Sequence, residues 1–183
     1  MRIFCLFLLL AAGFATNANA AAKSHGAKAV SHNSAGVTIN AGGPRVGKFA
    51  ADIDFKGGMP AKNNATGKVD TTGVVNPAPA AVYFTERWGD MTCTIPGLHP
   101  GASYKVRLHE TEDYVTAPGE RTFNVSINGV QVLKKFDILA VAKARHKAVV
   151  KEFNTKATKS GTVVILFTSL VNNAKIDGIE VLP

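Results

Sequence analysis

The sequence predicts an all-β fold, a two-sheet antiparallel β-sandwich, and two observations carry this prediction. Short segments of alternating apolar and polar residues recur along the chain, and turns rich in glycine and proline separate them. The chain has 183 residues, of which 46% are hydrophobic, which suffices for one globular domain and excludes an intrinsically disordered chain. We expect this domain to cover residues 37–183.

The N-terminal residues have the features of a secretory signal peptide. Arg2 supplies a positive charge, residues 3–15 are almost entirely apolar, and residues 18–20 form the small-x-small pattern of a cleavage site. We therefore expect residues 1–20 to be removed after Ala20 and the mature protein to be secreted, into the periplasm or the extracellular space. Residues 21–36 are small, polar and aperiodic, which indicates a flexible lead-in.

The chain has two cysteines, and Cys5 would leave with the signal peptide. The remaining Cys93 has no partner for an intramolecular disulfide. It lies in residues 91–95, where apolar and polar residues alternate, so we predict a strand in which Cys93 is a small core residue. A nucleophilic cysteine is the alternative.

The alternation predicts strands over residues 104–110 and 123–127. Asn128–Gly129 is the strongest short hairpin signal, with residues 131–133 as the returning strand. The continuous apolar run 162–170 predicts a strand buried on both faces, and residues 175–182 form the last predicted strand.

Two segments are not typical strands. Residues 63–79 predict a long surface loop. Residues 136–150 have apolar spacing and an alanine content that fit a helix, but the pattern alone does not decide between a helix and strands.

The formal net charge is +8, and much of the positive charge is concentrated in one region of the sequence. Eight basic residues fall there: Lys134, Lys135, Lys143, Arg145, Lys147, Lys151, Lys156 and Lys159. Because only Phe136 and Phe153 interrupt this region with rings, a nucleic-acid groove is poorly supported. A basic surface of this kind predicts attraction to an acidic glycan, with a merely solvated face as the alternative.

Motifs for nucleophilic, metal-dependent or phosphate-binding catalysis are absent from the sequence, so it predicts no catalytic residue, no cofactor and no metal ligand. Glu110 and Glu112 lie two residues apart at a predicted strand end, on one face. Two carboxylates are what glycoside hydrolysis requires, so a glycoside hydrolase is kept as the weakest alternative.

Aromatic residues near predicted loops give the clearest functional signal. Tyr83, Phe84 and Trp88 surround Thr85-Glu86-Arg87, and Tyr114 follows the acidic run Glu110-Thr111-Glu112-Asp113. A flat ring stacks against the C–H bonds of a pyranose while polar neighbours bind its hydroxyls, so these residues predict a sugar-binding surface. Core filling is the alternative for Tyr83, which lies in a predicted strand, and for Trp88.

Several ordered motifs between residues 37 and 182 resemble those of the malectin domain family. They are Ile39-Asn40-Ala41-Gly42-Gly43, Tyr83-Phe84-Thr85-Glu86-Arg87-Trp88-Gly89, Arg107-Leu108-His109-x-x-Glu112, Arg121-x-Phe123-x-Val125-x-Ile127-Asn128-Gly129, and Gly178-Ile179-Glu180-Val181. The resemblance implies a jelly-roll sandwich of the galactose-binding-like type. It implies a lectin-like, non-catalytic protein that binds an oligosaccharide or polysaccharide in a cleft of loops at one end. It also implies that residues 136–150 form strand, short loop and a strand over residues 147–153, instead of a helix.

The resemblance further implies a set of ligand-binding residues. Tyr83, Trp88 and Tyr114 would supply the rings, with Phe55 as the aromatic near another ring position of the family. Asp52 and Asn172 would hydrogen-bond sugar hydroxyls, Asn172 standing where the family carries an acidic residue. A structural or adhesive envelope protein that binds acidic material through its basic region is the rival interpretation.

Overall fold

Two antiparallel sheets pack face to face in the structure, a computed structural model in which residues 36–63 and 68–183 are described. The strands are β1 (Val37–Asn40), β2 (Phe55–Lys62), β3 (Thr85–Ile95), β4 (Ser103–Glu110), β5 (Thr122–Ile127), β6 (Val130–Phe136), β7 (Val149–Lys156), β8 (Val163–Val171), β9 (Lys175–Ile176) and β10 (Gly178–Leu182). A 3₁₀ helix (Ala80–Phe84) precedes β3, and one short helix, α1 (Ile138–Ala142), follows β6. The predicted all-β sandwich is confirmed. The predicted signal peptide and all of the lead-in except Gly36 lie outside the described residues.

One sheet has the strand order β1-β10-β4-β7, and the other has β2-β3-β8-β5-β6 with β9 paired to β3. Alternate side chains of both sheets point inward, so that Val106 and Leu108 of β4 share one core with Phe123 of β5 and Phe167 of β8. Cys93 is fully buried in this core, as predicted. Burial raises the pKa of its thiol, because a thiolate would lose its hydration.

The β5–β6 hairpin confirms the turn that the sequence predicts. Asn128 and Gly129 both have positive φ, 49° and 81°, which is the backbone of a type I′ turn. The Asn128 side chain also accepts a hydrogen bond from the Val164 N–H of β8, at 2.8 Å. The turn residue therefore anchors the hairpin to its neighbouring strand.

The prediction that the apolar run 162–170 is buried on both faces is wrong. In β8, Val163, Ile165 and Phe167 are buried, whereas Leu166 and Leu170 are 44% and 47% exposed. The strand lies inside the six-stranded sheet, whose inner face covers the core and whose outer face meets solvent at these residues. A run of apolar residues cannot show by itself which of its two faces is covered.

Residues 136–150 combine both predictions for this segment. The Asp137 side chain caps α1 by accepting a hydrogen bond from the Ala140 N–H at 2.9 Å, and Lys143 ends the helix with a φ of 60°. The helix is therefore a single turn, and β7 begins at Val149, two residues later than the resemblance implies. The predicted loop over residues 63–79 is free of strands and helices in its described part, apart from one isolated bridge from Asp70 to Lys147.

Over residues 36–63 and 68–183, the chain forms no helix with the length and hydrophobicity needed to cross a bilayer.

Candidate functional site

A cavity of about 300 Å³ brings together residues from four separate segments of the chain. Its lining comes from the end of β2, the first half of β3, the β4–β5 loop and the β8–β9 loop: Lys62, Asn63, Glu86, Trp88, Asp113, Tyr114, Arg121, Asn172 and Asn173. We call this cavity the Trp88 pocket. Of the six ligand-binding residues that the sequence predicts, it unites Trp88, Tyr114 and Asn172.

Trp88 lies within β3. It stands opposite Met59 of β2 on one side and Lys175 of β9 on the other. The β2–β3 register shifts between Gly57 and Met59, and such an irregularity changes the direction in which neighbouring side chains point. Trp88 is therefore held by strands on both sides and lines the pocket.

The β4–β5 loop that carries Tyr114 is organised by one buried carboxylate. Glu112 Oε1 accepts hydrogen bonds from the backbone N–H groups of Asp113, Tyr114 and Val115, at 3.1, 3.0 and 3.2 Å. Its other oxygen accepts from Arg121 Nε at 2.7 Å. Glu112 is fully buried while Tyr114 is 65% exposed. A charge-assisted network beneath the loop therefore holds an exposed ring at the pocket.

Arg121 joins the two loops of the pocket. Besides its ion pair with Glu112, its Nη1 donates to the backbone oxygen of Asn173 in the β8–β9 loop. In that loop Asn172 has a φ of 56°, a conformation that asparagine tolerates better than most residues, and its Oδ1 accepts from the Asn173 N–H at 2.9 Å. The position of Asn172 at the pocket is therefore set by the backbone conformation of the β8–β9 loop.

A fully buried lysine lies behind two carboxylates that line the pocket. Lys175 Nζ lies 2.6 Å from Glu86 Oε2, 3.1 Å from Asp177 Oδ1 and 3.2 Å from Asp113 Oδ1. It also donates to the Thr111 backbone oxygen at 2.7 Å. Burial opposes the charged ammonium, but the three surrounding carboxylates raise the pKa of Lys175. Burial raises the pKa of Asp177 to about 7, and Lys175 opposes that shift.

The two carboxylates that suggested a glycoside hydrolase lie inside the protein. Glu110 and Glu112 are both fully buried, neither lines the Trp88 pocket, and Glu112 is bound to Arg121. Neither oxygen of Glu110 has a hydrogen-bond partner among the described residues. Burial and the neighbouring Asp177 raise the pKa of Glu110 well above its usual range. This pair is therefore not placed for glycoside hydrolysis.

The state of Glu110 leads to a prediction about stability and pH. A carboxyl whose pKa is raised in the folded protein binds a proton that the unfolded chain releases, so its contribution to stability falls as pH rises above about 4.5. We expect Glu110→Gln to remove this dependence. Relative to the parent, the free energy of unfolding of the variant should then rise by up to about 1.4 kcal/mol for each pH unit above about 4.5. Urea unfolding at pH 5, 6, 7 and 8 checks this. Parallel curves for parent and variant would contradict a protonated Glu110.

The proposal of Tyr83 as a sugar platform is wrong, because Tyr83 is fully buried. It lies in the 3₁₀ helix, where its hydroxyl accepts from the Ala78 N–H at 3.1 Å and contacts His109 Nδ1 at 3.2 Å. It packs with Phe49 and Val82 in a second, smaller apolar cluster. This apolar helix buries its ring, and the predicted strand begins only after it.

Asp52 and Phe55 do not line the Trp88 pocket either. Asp52 forms a two-point ion pair with Arg87, at 2.6 and 3.2 Å. The Arg87 guanidinium lies 5.0 Å from the centre of the Phe55 ring, which packs against the main core. Both predicted ligand-binding residues therefore serve to fix Arg87 beside the β2–β3 pair.

Sequence reasoning missed most polar residues of the pocket. Glu86 and Arg121 lie inside the malectin-like motifs, but the sequence predicts no role for them, nor for Asn173 beside Asn172. Asp113 was considered only as part of an acidic run. The usable signal was an acidic residue within two positions before each aromatic, Glu86 before Trp88 and Asp113 before Tyr114.

The chain is similar to proteins with known sequences and structures. The family model described as "Malectin domain" matches residues 35–179. Receptor-like protein 4 of Arabidopsis thaliana is 33% identical over 106 residues, which cover 56% of this chain and 16% of that protein. The chain thus spans about a sixth of that relative's length.

Solved structures share the fold. The ANX2 ectodomain from Arabidopsis thaliana superposes with a TM-score of 0.73 at 16% identity, covering 80% of this chain and 49% of that chain. A chain from the crystal structure of the plant peptide RALF23 in complex with FER and LLG2 superposes with a TM-score of 0.69 at 18% identity. The match covers 79% of this chain and 47% of that chain. This chain therefore spans about half of each solved chain. Because the family match extends over most of the sequence, the chain belongs to the malectin domain family.

Proposed function

We propose that this protein binds carbohydrate without reacting with it, holding one or two sugar rings of an oligosaccharide or polysaccharide in the Trp88 pocket. One observation carries the proposal: the aromatic residues Trp88 and Tyr114 line the same cavity as the amide-bearing residues Asn172 and Asn173. Its volume of about 300 Å³ is at the lower end of the range for small-molecule pockets, which suits a short saccharide.

The chemistry of the lining matches the two kinds of surface that a sugar presents. The apolar C–H face of a pyranose stacks on an aromatic ring, and here Trp88 and Tyr114 supply rings. Its hydroxyls both donate and accept, and the asparagine amides offer both functions while Glu86 and Asp113 accept. Lys175 holds both carboxylates in place, so little side-chain freedom is lost when the sugar binds.

The same arrangement favours binding over hydrolysis. A glycosidase needs one carboxyl that donates a proton to the leaving oxygen and a second that acts as base or nucleophile. Glu86 and Asp113, the two carboxylates at the pocket, are both ion-paired to Lys175 instead. We therefore propose a binding protein, not an enzyme.

We also propose that this binding takes place outside the cytoplasm. The signal-peptide features of residues 1–20 support this, as does the fold shared with plant receptor ectodomains. The ligand would then be an extracellular or periplasmic saccharide.

A glycan array followed by isothermal titration calorimetry tests the proposal. We expect the parent to bind its best glycan with micromolar to millimolar affinity, since an open pocket gives few contacts to offset ordering. Trp88→Ala should weaken that binding about tenfold or more, because a central ring provides much of the contact. Trp88→Phe, which keeps a ring, should lose less.

Leu166→Ala is the matched control, since it removes an exposed apolar side chain from the outer face of the six-stranded sheet. It should bind like the parent. Equal glycan affinities for the parent and Trp88→Ala would contradict the proposed site.

A further inference from the structure

A second groove, of about 560 Å³, shares no lining residue with the Trp88 pocket. Its walls are the loop at Val74–Val75 and the end of α1 at Val141–Ala142, and its floor is the first half of β7. We call it the β7 groove. Val75 and Val141 are 74% and 44% exposed, so both walls present apolar surface to solvent.

The floor of this groove is the edge of a sheet. Among the described residues, β7 pairs with β4 and with no other strand. The Ala157 N–H donates to the Ala102 oxygen at 2.9 Å, in register with the β4–β7 pairing. Ala102 and Ala157 are therefore a hydrogen-bonded pair, and bonded and non-bonded pairs alternate along an antiparallel ladder. Val150 and Glu152 fall at non-bonded pairs of this ladder, so their backbone N–H and C=O groups point away from β4.

The protein already uses the start of this edge to bind an extended segment of its own chain. The Asp70 N–H donates to the His146 oxygen at 2.8 Å, and the Ala148 N–H donates to the Asp70 oxygen at 2.9 Å. Ala148 is the preceding outward position in the same alternation, whereas His146 contributes only its oxygen, because its N–H donates to the Glu112 oxygen at 2.9 Å. Beyond them, no backbone hydrogen bond reaches Val150 or Glu152 from outside the sheet in the described part of the chain.

The charge around the groove is positive. Lys143, Lys147 and Lys151 line it, and these are three of the eight basic residues noted in the sequence. Its one carboxylate, on Glu152, is engaged by Arg107 at 2.6 Å and by Lys105 at 3.3 Å. Lys156 borders a different depression, so the basic residues do not all share one surface.

We propose that the β7 groove binds an extended acidic peptide segment of a partner protein, which adds a strand to the edge at Val150 and Glu152. Edge-strand backbone groups recognise peptide N–H and C=O groups, and the valine walls receive apolar side chains on alternate positions. The three lysines select for acidic side chains. An acidic polysaccharide would be attracted by the three lysines. However, no described residue that lines the groove is aromatic, so a sugar ring would have nothing to stack on.

Fluorescence anisotropy with a labelled octapeptide of alternating valine and glutamate tests this proposal. We expect saturable binding that is lost when alternate peptide nitrogens are methylated or when lysine replaces glutamate in the peptide. Val150→Pro removes an outward N–H while keeping the bonds to β4, which an edge strand tolerates, and should weaken binding about tenfold or more. Lys147→Glu should weaken it as well.

Lys156→Pro is the matched control, because it changes an outward position of the same edge beyond the groove and should bind like the parent. Thermal melting establishes that each variant is folded. Equal binding of the methylated peptide, or of the peptide by folded Val150→Pro, would overturn the proposal. Binding of alginate with no binding of the peptide would overturn it in favour of an acidic polysaccharide. Dimerisation that depends on Val150, seen in sedimentation velocity, would overturn it in favour of a second copy.

Discussion

Replacing Lys175 by methionine is expected to lower the free energy of unfolding by about 3–5 kcal/mol at pH 7. The substitution leaves Glu86, Asp113 and Asp177 around a neutral side chain, and a buried charge without its partner costs far more than the net value of the pair. Urea unfolding followed by tryptophan fluorescence measures the loss. The glycan affinity should fall too, because Glu86 and Asp113 line the pocket.

This loss should shrink as the pH is lowered. Lys175 opposes the rise that burial causes in the pKa of Asp177, so without Lys175 the folded protein holds a proton on Asp177 that the unfolded chain releases. The stability of Lys175→Met should therefore rise from pH 7 to pH 5 relative to the parent.

Lys48→Met is the matched control for Lys175→Met. Lys48 lies 2.9 Å from Glu180, but its side chain is 62% exposed and Glu180 keeps His109 at 2.9 Å. We expect a cost below about 1 kcal/mol. A similar small cost for Lys175→Met, unchanged by pH, would show that the buried cluster does not hold the pocket together.

Replacing Glu112 by alanine is expected to cost about 3–5 kcal/mol and to abolish glycan binding. The change leaves the buried Arg121 without its carboxylate and three backbone N–H groups of the β4–β5 loop without their acceptor. Tyr114 would lose its fixed position at the pocket. Urea unfolding and calorimetry with the glycan that the parent prefers measure the two effects.

Glu120→Ala provides the control within the same loop. Glu120 also accepts backbone hydrogen bonds, from Thr116 at 2.8 Å and Ala117 at 3.0 Å, but it is exposed. We expect it to change stability by less than about 1 kcal/mol and to leave glycan binding unchanged. If Glu112→Ala behaved like Glu120→Ala, the buried carboxylate would not be what positions Tyr114.

Both predictions rest on one feature of this protein: its proposed binding surface is built on buried charge. Lys175 holds two carboxylates of the pocket from below, and the pair of Glu112 with Arg121 connects the two loops that form its rim. Buried charges give directional contacts that apolar packing does not, so they can fix loops at the end of a sandwich. The pocket is thereby preorganised before any ligand arrives.

Local patterns predicted much of the fold because each depends on neighbours in sequence. The type I′ turn at Asn128–Gly129 requires two residues that accept positive φ, and the alternation of residues 104–110 requires one covered face. The order of several short motifs along the chain predicted that it belongs to the malectin domain family. The same motifs pointed to Trp88, Tyr114 and Asn172, which line one pocket, and their role in ligand binding stays a prediction.

Only the tertiary structure decided which polar and aromatic residues reach the pocket. Tyr83 and Trp88 stand in one short motif, yet Tyr83 lies in the core and Trp88 at the pocket, because a 3₁₀ helix ends between them. The pairing of Lys175 with Glu86 and Asp113 joins residues far apart in sequence, and the open edge of β7 depends on strand order. Burial and long-range contact are properties of how sheets pack, which residue patterns along the chain do not encode locally.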